Sequence, residues 1–368
     1  MMKVEAVRIR TIELPLKKPF ITHQASIDRR KLLIVEAEDP EGRIGYGEVT
    51  AFESPFYTSE TIVTAFHVLK EFLIPLLFGL EEQTPAAFAE GVRPIQGHPM
   101  AKAGLEGALW DLYGKKENKS LKKLLGGIRE SVKAGAVLSL TDNLREEVEA
   151  LKLEGYERYK LKVRKGCEKE TIEALRKIAP DLPVMIDANG QYGPDDFHRL
   201  QEMDEYGLMM IEQPFQPADF FYHKELQATM RTPLCLDESI MSFHDAVQSV
   251  ELESCRIVNV KISRVGGLTE AKAIHDFCER REVPVWCGGM VESGVSKAHN
   301  LALATLPNFT IPGDLSSSTR YFERDIVQPP IIMDRGEIRV PEGPGIGIDV
   351  DREYLEFVTN HSYEAKAT

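Results

Sequence analysis

Cysteine is scarce in this chain of 368 residues: Cys167, Cys235, Cys255, Cys278 and Cys287 are odd in number and contain no C-x-x-C spacing. That excludes a disulfide frame and a cysteine zinc site, and it reads as reduced thiols of a cytoplasmic protein. Basic charge is also short. Lys and Arg number 45 against 58 Asp and Glu, a net charge of −13, which argues against nucleic acid as a partner. No apolar run approaches the roughly 20 residues that span a bilayer. The N-terminus, Met1-Met2-Lys3-Val4-Glu5-Ala6, has no apolar signal core, so no membrane partner is expected. No G-x-G-x-x-G follows a strand, which disfavours an open dinucleotide-binding sheet. An anionic small-molecule substrate stays open, because a bound metal dominates the field of its own site.

What is present is ordinary for a globular chain, 43% apolar and 28% charged, at a length that favours two domains. Residues 3–16, 28–38 and 42–49 read as strands of an antiparallel sheet, with Asp39-Pro40-Glu41-Gly42 as a turn. Helical periodicity follows over 59–79, 84–94 and 98–117. Strands then helices predict an α+β domain over 1–125. From Gly126-Gly127 the pattern alternates. Strand candidates at 134–140, 158–163, 183–187, 208–212, 233–237, 257–261, 283–287 and 309–312 are separated mostly by amphipathic helices such as 144–154, 168–179, 195–205 and 268–281. That predicts a parallel (β/α) barrel over 126–321. The tail, 322–368, holds Glu337-Ile338-Arg339-Val340 and Gly343-Pro344-Gly345-Ile346-Gly347, a short strand and turn expected to return to the first domain.

Five charged residues punctuate the barrel. Lys162, Asp187, Glu212, Asp237 and Lys261 are separated by 25, 25, 25 and 24 residues, about one strand plus one helix. Asp187, Glu212 and Asp237 each end an apolar run, and barrel active sites lie at the C-terminal ends of the strands. Any one acid could merely cap the following loop. Three in step point instead to hard oxygen ligands for Mg²⁺ or Mn²⁺. Lys160 and Lys162, two apart on a strand, share a face. Mutual repulsion and burial are expected to lower their pKa values toward that of a general base, and the spacing favours Lys162 in that role. Lys261 should face Lys162 across the cavity, with Arg264 close enough to depress the Lys261 pKa. Together these groups describe removal of a proton α to a carboxylate, with the resulting enediolate stabilised by a metal and by Lys160.

These residues resemble the enolase superfamily, in its muconate-lactonising-like group. The motifs that carry the resemblance are Lys160-Leu161-Lys162, Asp187-Ala188-Asn189, Glu212-Gln213-Pro214, Asp237-Glu238-Ser239, and Lys261 in Val260-Lys261-Ile262-Ser263-Arg264. Within that group the chain is similar to the o-succinylbenzoate synthase and N-succinylamino acid racemase family. Gly45-Tyr46-Gly47-Glu48, Pro55-Phe56-Tyr57, Trp286 to Gly294 and Gly313-Asp314-Leu315-Ser316 carry that narrower likeness. The resemblance covers essentially the whole chain. It implies a modified TIM barrel, (β/α)₇β, under an N-terminal α+β capping domain completed by the C-terminal tail.

It also implies roles. Asp187, Glu212 and Asp237 would bind Mg²⁺, with Asn189 and Arg264 behind them. Lys162 would be the base in dehydrating 2-succinyl-6-hydroxy-2,4-cyclohexadiene-1-carboxylate to o-succinylbenzoate, a menaquinone precursor. Lys261 would stabilise the anion or, in a racemase, be the second acid/base. Gly289, Met290 and Val291 would approach the distal carboxylate, and Phe20, Tyr57 and, with less weight, His23 would close the pocket. Val137 stands where family members often have a serine, and Ser139 could replace it only with a register shift. N-succinylamino acid racemase is the runner-up activity. Muconate cycloisomerase shares the metal site and both lysines. Dipeptide epimerase is disfavoured by the absence of Asp-x-Asp after the last strand. A non-catalytic binding protein is disfavoured by the intact set of five. A homo-oligomer is a further expectation of the resemblance.

Overall fold

The structure, a computed structural model, describes residues 2–21, 26–138 and 143–367. His23 and Ser139 lie outside the described residues. Strands β1 (Ala6–Ile21), β2 (Ser26–Glu38) and β3 (Ile44–Val49) form an antiparallel sheet. The C-terminal strand Thr359–Lys366 adds to its other edge by pairing with β1. Alternation along β1 and β2 buries Val7, Ile9, Leu33 and Val35 against Leu105, Ala108, Leu109 and Leu112 of the helix Pro99–Lys116. That helix lies very close to β3. A Cβ at Gly47 would stand 1.9 Å from the Gly104 carbonyl oxygen, so only glycine allows the contact.

The helical stretch Ile62–Gly79 is long and apolar enough to cross a membrane by length and composition, with mean hydropathy 1.6. It interrupts its apolar residues with Lys70 and Glu71, which is why no continuous apolar run shows in the sequence. Its Ala65, Leu69, Leu73 and Leu77 are buried in the core of the cap.

A short strand β4 (Ser131–Lys133) precedes seven parallel strands: β5 (Ala136–Leu138), β6 (Tyr159–Lys162), β7 (Val184–Asp187), β8 (Ile211–Glu212), β9 (Leu234–Leu236), β10 (Ile257–Val260) and β11 (Val285–Cys287). They pair in sequence order. The eighth segment closes the ring through parallel bridges Val285↔Phe309 and Ala134↔Gly313. Backbone bonds lock that closure, among them Gly135 N–H to the Gly313 carbonyl (2.7 Å) and Asp314 N–H to the Cys287 carbonyl (2.9 Å). Tyr159, Leu161 and Val163 pack outward with Ile172 and Leu175 of the helix Glu168–Ile178.

Within the tail, the turn at 343–347 meets the first domain: the Gly345 amide donates to the Lys119 carbonyl (2.9 Å) and the Ile346 amide to Asp111 Oδ1 (2.8 Å). Glu337–Arg339 does not join the capping sheet. It pairs with β4 beside the barrel, and Met333–Asp334 pairs with it in turn. The strand that does join the cap is Thr359–Lys366, whose polar alternation (Asn360, Ser362, Glu364) hides it from a reading by apolar period. The four buried cysteines and the exposed Cys167 are all free.

Candidate active site

Strand register shows how the evenly spaced residues meet. Lys162 pairs with Asp187, and Asp187 with Glu212, so these three sit level across β6, β7 and β8. Glu212 then pairs with Cys235, which leaves Asp237 two residues higher. Leu236 pairs with Val258, so Lys261 stands higher again. The groups therefore climb as they go around, which is the stagger a closed barrel requires. Backbone strain sits just past two of the carboxylates, at Asn189 (φ 43°) and Gln213 (φ 40°). Gln213 uses that conformation to join two loops. Its carbonyl oxygen accepts from the Asp237 and Ser239 amides (3.0 and 3.1 Å), and its amide donates to the Ser239 hydroxyl (2.7 Å).

The three carboxylates are buried, and Lys160 lies between two of them. Its Nζ is 3.1 Å from Asp187 Oδ2, 2.8 Å from Glu212 Oε2 and 3.1 Å from Asp314 Oδ2. Asn259 Nδ2 donates to Glu212 Oε1 (3.0 Å). Asn189 Nδ2 donates to Glu238 (3.2 Å), not to a strand-end carboxylate. Arg264 donates to Asp237 Oδ1 (2.5 Å), the Ile240 carbonyl (2.9 Å) and Tyr57 Oη (3.1 Å).

The two end lysines differ. The Lys162 side chain is 52% exposed, and among the described residues its ion-pair partner is Asp187 Oδ2 at 4.0 Å. Lys261 is buried and donates to Asp237 Oδ2 and to Tyr57 Oη, both at 2.9 Å. Tyr57 thus accepts from Lys261 and from Arg264, leaving its own O–H to donate.

The expected lowering of lysine pKa values is not what this arrangement produces. Burial does lower Lys160 and Lys261. Asp187, Asp314 and Glu212 outweigh it at Lys160, and Asp237 outweighs it at Lys261, so both are held above their ordinary value. Arg264 acts on Lys261 in the expected direction but more weakly than Asp237. Burial, then Asp187, push Glu212 up to about 8. Burial, then Asp237, raise Glu238 to about 7.

A divalent cation fits this donor set. Glu238 Oε2 is buried without a hydrogen-bond partner among the described residues, Glu212 Oε2 is met only by the Lys160 ammonium at 2.8 Å, and the donors are hard oxygens. Among the described residues, the group whose ligand atoms all fall within 4.8 Å of one another is a different one, His275, Asp276 and Glu279. That group is already engaged on the outside of the barrel: His275 Nε2 accepts from the Asn308 amide (3.0 Å), and Lys272 holds Asp276 (2.6 Å). The strand-end carboxylates stand further apart, with Lys160 inserted.

Several neighbours were given no role by the sequence, although Trp286 and Asp314 lie in quoted motifs. Asp314 binds both Arg158 and Lys160. Trp286 lies under Lys160, 5.3 Å from Nζ to ring centroid, and its Nε1 donates to Cys235 (3.2 Å). Asn259 is two residues before Lys261, so strand alternation could have placed it inward. Asp314 follows the eighth segment as the other acids follow theirs.

The candidate pocket residues have definite places. Val137, 36% exposed, pairs with Lys160. Phe20 stacks with Phe52, centroids 6.4 Å apart. The glycines after β11 are explained by the protein itself: a Cβ at Gly288 would be 2.6 Å from Lys261 Cε, and one at Gly289 2.2 Å from the Asp314 carbonyl oxygen. Val291 is buried and Met290 partly so.

Residues 4–126 match the mandelate racemase/muconate lactonizing enzyme N-terminal domain family, and residues 143–354 match the enolase C-terminal domain-like family. The chain is 48% identical over 362 residues to an o-succinylbenzoate synthase of Bacillus subtilis, covering 98% of each. It is 39% identical to an N-succinylamino acid racemase of Amycolatopsis, covering 97% of this chain and 98% of that one. Its structure superposes on the crystal structure of an enolase-superfamily member from Listeria innocua with a TM-score of 0.97, at 41% identity and over 100% of both chains.

Proposed function

Since the chain belongs to the enolase superfamily, we propose that it is an o-succinylbenzoate synthase, dehydrating 2-succinyl-6-hydroxy-2,4-cyclohexadiene-1-carboxylate. The observation that carries this reading is the inequality of the two lysines. Lys162, half exposed at the mouth and without a hydrogen bond to the described residues, is free to reach a substrate carbon. Lys261 is buried and committed to Asp237 and Tyr57, which suits a fixed cation better than a second base. One mobile base is what a dehydration by a single face needs.

Asp187, Glu212 and Asp237 would hold Mg²⁺ or Mn²⁺, which when bound supplies positive charge beside the substrate carboxylate. Lys162 takes the proton α to that carboxylate. The hydroxyl on the neighbouring carbon then leaves with a proton from the same ammonium, so the ring becomes aromatic and one water is lost. Lys261 and Lys160 place fixed positive charge at the developing enediolate and near the ring face. Tyr57 has its O–H available for the substrate. Buried Trp286 and the cap exclude bulk water.

N-succinylamino acid racemisation remains the second reading, favoured by the relative in Amycolatopsis and by the presence of an amine on each side of the cavity. Dipeptide epimerisation would need a free carboxylate after the last strand to hold a substrate ammonium. Asp314 stands there, but Arg158 and Lys160 already occupy it. The test is turnover of the cyclohexadiene acid and of N-succinyl amino acids by purified protein with Mg²⁺. Dehydration supports the proposal. Deuterium exchange into an N-succinyl amino acid without any dehydration overturns it.

A further inference from the structure

We propose that Arg30 and Glu48, two buried charges of the capping sheet, are positioning residues that fasten the barrel loop Gly288–Ser293 to the cap segment Thr50–Tyr57, so that the two flank Lys261 as one unit. Arg30 on β2 is 1% exposed. Its hydrogen bonds go to backbone carbonyls, on both sides of the domain boundary. Nε donates to Val291 (2.8 Å) in the barrel loop. Nη1 donates to Ala51 (2.8 Å) and Lys31 (2.9 Å), and Nη2 to Thr50. The guanidinium lies 4.2 Å from the centroid of Phe52. A planar fork with five donors can join three strands of chain in this way, and an ammonium cannot.

Glu48 on β3 holds the far end of the same loop. Its carboxylate accepts from the Ser293 amide (3.0 Å), the Ser293 hydroxyl (2.5 Å) and the Ser296 amide (3.1 Å). It thereby caps the helix Gly294–Ala304, which follows the loop. Glu292, between the two anchors, is turned into the protein by Ser296 (2.6 Å) and Asn300 (2.9 Å). The near end of the loop is set by Gly288 and Gly289 against Lys261 and Asp314. On the cap side, the segment that Arg30 grips runs on to Tyr57, whose hydroxyl rests on Lys261. Every anchor of the loop except the glycines thus comes from the cap or from the following helix. Arg30 and Glu48, which hold the rest of the loop, are not among the residues assigned to the substrate.

The assignment of a substrate-facing role to this loop rests on the proposed function; the coupling of the two segments does not. Hydrogen–deuterium exchange of Mg²⁺-loaded protein without substrate, for wild type, Arg30→Met, Arg30→Lys and Glu48→Gln, decides the coupling. Exchange should rise together in 288–296 and 50–57, by roughly tenfold or more in Arg30→Met, with β7 to β9 unchanged. A rise in one segment only, in neither, or throughout the barrel overturns the inference. If Arg30→Met does not fold, Arg30→Lys keeps the charge and gives the same readout. With the cyclohexadiene acid, the KM of folded variants should rise more than kcat falls, since binding geometry is lost and the base is intact; the reverse overturns the positioning role. Should neither candidate substrate turn over, the functional reading fails while the exchange result still decides the coupling.

Discussion

Lys162 and Lys261 have the same side chain in two conditions, and the difference predicts what each substitution does. Lys162 is half exposed, so Lys162→Ala should leave the melting temperature nearly unchanged. It should lower kcat by at least about 10²–10⁴, the usual worth of a positioned acid/base. Steady-state rates on both candidate substrates check this, and retained dehydration would refute the assigned base. The placement of types was legible here from spacing alone: acids at strand ends, amines on either side. The electrostatic condition of each amine was not. Two neighbouring lysines suggest lowered pKa values only if nothing negative stands closer. At Lys160 the nearest charges are Asp187, Glu212 and Asp314, and Asp314 is 154 residues away in sequence.

At the scale of elements, the cap and barrel meet through buried carboxylates at helix ends. Glu106 of the helix Pro99–Lys116 accepts from the Thr269 amide (3.2 Å) at the start of the helix Leu268–Arg280, and its Oε2 has no partner. Burial raises its pKa from 4.5 to about 7. Burial does the same for Glu60, which lies within the cap and accepts from the Met100 and Ala101 amides at the start of the helix Pro99–Lys116. Between these pH values the two groups keep protons in the folded protein that the unfolded chain releases, so their contribution to stability is full below about pH 4.5 and declines as pH rises toward 7. Glu106→Gln cannot ionise and should lose less over that interval, by on the order of a few kcal/mol at most. Urea unfolding at pH 5 and pH 8 in the absence of metal checks this; an unchanged pH dependence would contradict it. Helix positions were largely readable from apolar period, to within a residue or two for 99–116, 168–178 and 268–280. The contact of Glu106 was not, because a charged residue inside an amphipathic pattern reads as solvated.

For the whole molecule, the metal should act as a ligand of the folded state only. Asp187, Glu212 and Asp237 come from three strands and converge only in the closed barrel. Saturating Mg²⁺ at about 100 times Kd should therefore stabilise the fold by about 2.7 kcal/mol. Melting curves with Mg²⁺ and with chelator read this directly. Asp187→Asn should shrink the difference, whereas an equal shift in the variant would place the cation elsewhere.

The sequence by itself determined the repeating unit, the order of the groups on it and hence the class of chemistry. Each of those is set by local periods: a strand of alternating faces, a helix, two short connections. The even step of 25 between carboxylates needs no knowledge of what lies across the barrel. Tertiary structure decided the rest. The stagger that lifts Asp237 and Lys261 above Lys162 is a property of ring closure. Asp314, Tyr57, Arg30 and Glu48 reach the site from the eighth segment and from the cap, between 154 and 261 residues from their partners. Contacts at that separation leave no period in the chain, because what joins them is the packing of one domain on the other.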